Sequence, residues 1–143
     1  MVPRRRHRSP VVILLGAVAM SGQAWAASCD QAKPQSAVSF RKMIQPIFDE
    51  ACTLCHIGGD APESLVLEDG FAFDFLVNVP SRESKMKRVE PGSPENSYIV
   101  HKLQGTHLEV GGDGNRMPVN HDPLTDAQIH LLMNWIRDCS PDN

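Results

Sequence analysis

The chain has 143 residues, enough for one small domain and too few for several. Its 14 basic and 17 acidic residues leave a net charge of −3 at neutral pH. That balance argues against a nucleic-acid binder and against electrostatic docking on anionic lipid.

Residues 1–26 read as a secretory signal peptide. Arg4, Arg5, Arg6 and Arg8 form a positive n-region, Val11 to Met20 an apolar h-region, and Ala24-Trp25-Ala26 a small-x-small cleavage site. The apolar run is too short to cross a bilayer as a stable helix, so no membrane span is expected after cleavage. The expected location is the periplasm or another exported compartment. Residues 1–26 carry four arginines and no acid, so their removal takes the net charge from −3 to −7. A protein partner is then expected to present a neutral or basic patch. Residues 27–37 form an N-terminal arm, and residues 38–143 form the domain.

The arm carries Cys29, and Cys139 lies near the other end of the chain. In an oxidising compartment two leftover cysteines most simply pair. Lipidation of Cys29 and free thiols are the other readings.

No sustained period-two alternation is found, so the domain is expected to be mostly α-helical. Val38 to Ala51 is the first predicted helix. Phe40, Ile44, Ile47, Phe48 and Ala51 share one apolar stripe, and Pro46 should kink it or start a fresh turn. This helix leads directly into Cys52-Thr53-Leu54-Cys55-His56, a C-x-x-C-H pattern. Two thiols at this spacing can add across the two vinyl groups of a haem, and the adjacent imidazole can bind its iron. A thioredoxin-like redox pair would need a βαβ setting, and structural zinc a second close pair of ligands. Neither is seen around the motif.

Gly58, Gly59, Ala61 and Pro62 follow as a turn, and the Pro62 carbonyl is the expected acceptor for the Nδ1–H of His56. Residues 70–77 predict a short helix with Phe71, Phe75 and Leu76 apolar. Ser93-Pro94-Glu95 predicts a helix start, with Ser93 as N-cap, and Gly105 its stop. Residues 106–124 predict a long loop holding Arg116-Met117-Pro118. Thr125 and Gln128 form a capping box that opens the last helix, with Ile129, Leu132, Met133 and Ile136 as its buried stripe and Trp135 beside it. Met117 offers a soft thioether as a second axial ligand; His101, His107 and His121 are the rival donors. Arg116 suits a carboxylate such as a haem propionate, or plain solvent.

These segments together resemble the class I monohaem c-type cytochromes, most closely the small planctomycete-type cytochrome c domains of bacteria. The resemblance rests on Ile44-Gln45-Pro46-Ile47-Phe48 before the haem motif and on Val89-Glu90-Pro91-Gly92-Ser93-Pro94 leading to Ser97-Tyr98. It also rests on Arg116-Met117-Pro118 followed by Leu124-Thr125 and Trp135-Ile136. It spans residues 38 to 138. It implies helices wrapped around one haem c per chain, held covalently by Cys52 and Cys55, with His56 and Met117 as axial ligands. The implied function is electron transfer between redox partner proteins rather than catalysis. A haem enzyme of peroxidase type, or a sensor, would instead need a displaceable sixth ligand. The acidic balance departs from lysine-ringed cytochromes.

Overall fold

The computed structural model describes Cys29 and residues 37–143. The expected signal peptide and nearly all of the expected arm lie outside the described residues. The described chain is mostly helical and contains no strand. Isolated bridges join Val77 to Val89, Pro80 to Lys87 and Lys87 to Ser97. No helix among the described residues is long and apolar enough to cross a membrane.

The first helical segment is broken where Pro46 requires it. A wide π-type turn runs over Phe40–Ile44, and a regular helix, α1, continues over Gln45–Ala51 with Pro46 in its first turn. Ser39, not Val38, precedes the segment, and its hydroxyl accepts the Lys42 N–H. Phe40, Ile44, Ile47 and Phe48 are buried as the apolar stripe predicts.

The second helix, α2, covers Ala72–Leu76, shorter than its sequence suggests. Ala72 and Leu76 face the core, whereas Phe71 is 55% exposed. A helix of this length has room for one buried stripe, and i, i+4 spacing gives it to Ala72 and Leu76.

Ser93 does not cap a helix. Its hydroxyl donates to Glu95 (2.6 Å), and Pro94–Asn96 makes only a single 3₁₀ turn. The helix proper, α3, runs over Tyr98–Gln104. The interruption is at Ser97, which is extended. Its hydroxyl accepts the Glu90 N–H (2.9 Å) and donates to the Ser93 carbonyl (2.9 Å), tying it to the neighbouring segment. Gly105 ends α3 in the left-handed conformation, as expected of a glycine stop.

The last helix, α4, covers Asp126–Arg137 and opens with the Thr125–Gln128 capping box. Ile129, Leu132 and Ile136 are buried. Met133 is only partly buried, whereas Trp135, beside that stripe, is itself fully buried. Its ring meets Phe40 (5.0 Å between centroids) and Phe73 (6.5 Å), and Phe40 in turn meets Phe48 (6.2 Å). Its indole N–H donates to the Pro141 carbonyl, which lets so large a polar-tipped ring be buried.

The C-terminal residues are fastened to Cys29 and to the start of the first helical segment. Cys29 and Cys139 form a disulfide with 5.5 Å between Cα atoms, closing a loop of 110 residues. Beside it, the Arg41 N–H donates to the Asn143 carbonyl (3.0 Å) and the Phe40 N–H to the Asn143 side chain (2.9 Å). A loop this long contributes roughly 4–5 kcal/mol in the chain-entropy model. A variant with both cysteines replaced by serine is therefore expected to melt roughly 15–25 °C lower by circular dichroism. An unchanged melting temperature would show that the terminal hydrogen bonds suffice.

Candidate functional site

The C-x-x-C-H stretch is the frayed end of α1 turned back on itself. The Cys52 N–H still donates to Phe48 (2.8 Å), continuing the helix, but the Cys55 and His56 N–H groups both donate to the Cys52 carbonyl (3.1 and 3.0 Å). The turn points the two cysteines into different surroundings. Cys52 is half-buried against the apolar core, and Cys55 is exposed; both are free thiols. Leu54 between them is 93% exposed.

Burial pushes the Cys52 thiol up to about 11, so it stays protonated at neutral pH. This is opposite to the lowered value that a dithiol redox pair needs for attack. No cluster of three or more His, Cys, Asp or Glu that could hold a metal ion forms among the described residues, so the two thiols have no zinc-type partners.

His56 is held by both its backbone and its ring. Its carbonyl accepts the Leu67 N–H (2.8 Å), and its Nδ1 lies 3.0 Å from the Leu65 carbonyl. A carbonyl can only accept, so Nδ1 carries the proton and Nε2 keeps its lone pair. Burial, opposed by that hydrogen bond, lowers the imidazole below its usual value and favours the neutral, ligating form. The acceptor is thus Leu65 and not Pro62. The Pro62 carbonyl is taken by the Leu65 N–H (3.0 Å), because residues 62–64 form a tight turn.

Met117 lies in the long loop but is not a free surface methionine. It is half-buried against the same apolar cluster that Cys52 and Leu65 pack on. Its N–H donates to the Lys102 carbonyl (2.9 Å), and the Arg116 Nε–H donates to the Leu103 carbonyl (2.9 Å). The peptide between Met117 and Pro118 is cis.

The rival histidines are differently placed. Both ring nitrogens of His101 are engaged, by Thr106 (2.8 Å) and by the Glu95 carbonyl (2.9 Å). His107 is buried with Nε2 on the Gly114 carbonyl (3.0 Å). His121 is exposed, with Nδ1 3.0 Å from the Asp122 carbonyl.

Two residues near the site have no distinguishing mark in the sequence. Lys102, on α3, is buried, with its ammonium on Glu83 (3.0 Å) and on the Asp113 carbonyl (3.0 Å). It therefore fastens the Met117 loop twice, once through its own carbonyl and once through its ammonium. Gly112 completes that strap, since a side chain there would strike the Tyr98 hydroxyl and the His107 carbonyl. Arg88 is also buried, in a stretch whose composition suggests only a charged loop.

Cys52 and Cys55 are thus unpaired thiols on one turn next to the His56 imidazole, and Met117 packs on the same apolar cluster as Cys52. No family model, no curated protein and no solved structure matches the chain.

Proposed function

We propose that this protein is an exported monohaem c-type cytochrome that transfers electrons. In this reading the helices wrap around one haem c, which Cys52 and Cys55 hold through thioether bonds. His56 and Met117 are its axial ligands. The observation that carries the reading is His56, directly after the two free thiols and oriented through Nδ1 so that Nε2 is available.

Bound haem supplies a one-electron iron couple. The chain supplies the rest. The two thioether bonds prevent loss of the group to solution. Leu65 fixes the tautomer of His56 and strengthens it as a donor. The straps from Lys102 and Leu103 hold the loop that carries the Met117 thioether, which would be the second ligand to the iron. The acidic balance of the chain suits a partner with a neutral or basic patch.

The test is the protein expressed with export and haem maturation. One haem per chain is expected to survive denaturing electrophoresis, and the reduced protein to react only slowly with carbon monoxide. A chain that emerges without haem would refute the reading. Rapid carbon monoxide binding would point to an open iron site, as in a peroxidase or a sensor.

A further inference from the structure

The segment that supplies the Leu65 carbonyl to His56 is strained. Glu63 and Ser64, the two residues before Leu65, both have positive φ (55° and 50°). Neither is glycine, and consecutive side-chain-bearing residues in the left-handed region are disfavoured by Cβ contacts. Something must hold the pair in place.

Arg88 is the group in position to do so. It is only 7% exposed. Its Nη2 donates to the Glu63 carbonyl (2.6 Å) and lies 3.4 Å from the Ser64 carbonyl, and its Nη1 donates to the Phe75 carbonyl (2.8 Å). No carboxylate among the described residues is within ion-pair distance of the guanidinium; Glu63 acts on it only from farther away, and the hydrogen bonds of the guanidinium go to backbone carbonyls. A buried cation with no close carboxylate partner is an expensive way to hold a loop, which argues for a specific need. The base of the clamp is rigid. The Arg88 N–H donates to Val79 (2.7 Å), its carbonyl accepts from Ile99 (3.1 Å), and the next residue, Val89, donates to Leu76 (3.1 Å).

We propose that Arg88 is a positioning residue for His56: it clamps the left-handed Glu63–Ser64 pair, which aims the Leu65 carbonyl at Nδ1 of the imidazole. The effect on His56 stands on the geometry alone; only its consequence for the iron rests on the haem reading. Arg88 sets the direction and donor strength of the imidazole without touching it. Lysine keeps the charge but loses the planar fork that reaches two carbonyls at once.

The test uses the full exported protein, reduced, as wild type, Arg88→Lys, and Arg88→Lys combined with Ser64→Gly. The first readout is solvent exchange of the His56 Nδ1 proton by NMR, with the Trp135 indole proton as internal control. Arg88→Lys is expected to speed exchange at His56 at least tenfold and leave Trp135 unchanged. Adding Ser64→Gly should restore part of the protection, because glycine adopts positive φ without the Cβ penalty. The second readout is the reduction potential. It should rise in Arg88→Lys, since a weaker hydrogen bond at Nδ1 makes the imidazole a poorer donor to ferric iron while the local charge is kept. Wild-type exchange and potential in Arg88→Lys would overturn the proposal. So would equal acceleration at His56 and Trp135, which marks general loosening. If the wild-type chain carries no haem, the haem reading fails, and the exchange measurement on the haem-free protein still decides the role of Arg88.

Discussion

A chain carrying Cys52→Ala and Cys55→Ala together is expected to leave the export pathway with no haem that survives denaturing electrophoresis. The two sulfurs are the only atoms of the motif that can form thioether bonds, and the other two cysteines are committed to the Cys29–Cys139 disulfide. The single variants are expected to differ. Cys52 is half-buried against the core, so its thioether would sit on the inner side of the turn, whereas Cys55 is exposed. Cys52→Ala should therefore lower the yield of folded protein as well as of attached haem. Cys55→Ala should lower attachment with less loss of folding. Each single variant keeps one sulfur, so the haem that does attach should be held through one thioether bond and resist extraction by acidic organic solvent, whereas any haem held only by His56 in the double variant should be extracted. Covalent haem retained in the double variant would end the attachment reading.

Met117 carries the second large effect. A thioether bound to ferric iron gives a weak band near the red end of the visible spectrum, and a soft ligand favours the ferrous state. Met117→Ala is expected to remove that band, to lower the reduction potential by roughly tens to hundreds of millivolts, and to open the iron to carbon monoxide. Met117 is also half-buried against the core, so the alanine variant loses packing as well as sulfur. Met117→Leu separates the two. It keeps the volume, and such swaps usually cost less than about 1.5 kcal/mol. The leucine variant should therefore melt close to the wild type while still losing the band and the potential. If both variants keep the wild-type spectrum, another residue is the ligand. His121 is the first to test, because its loop is exposed and it follows Met117 closely in sequence.

Much of the site was legible in the sequence because its chemistry is local. Five consecutive residues, Cys52 to His56, contain both thiols and the imidazole, and their spacing alone sets which groups one turn can present. The break at Pro46, the stop at Gly105 and the Thr125–Gln128 capping box are likewise short-range effects of ring closure, absent Cβ and end-group hydrogen bonding. Periodicity identified Ile44, Phe48, Leu132 and Ile136 as core.

What depended on contacts between distant segments could not be read in this way. Three fates of Cys29 were open in the sequence, and the fold decides among them by bringing its Cα to 5.5 Å from that of Cys139. Helical periodicity placed Trp135 only beside the buried stripe, and its partners Phe40 and Phe73 arrive from other elements. The acceptor for His56 is Leu65 rather than Pro62 because the tight turn at 62–64 takes the Pro62 carbonyl, and Arg88, twenty-three positions beyond Leu65, donates to the carbonyl of Glu63 within that turn. Nothing in the local sequence marks Lys102 or Arg88 as buried, and only the groups that meet them in the folded chain make them clamps. Sequence determines which groups exist and how neighbours are spaced; the tertiary structure decides which backbone carbonyl faces which side chain, because that depends on strain and burial summed over segments that meet only after folding.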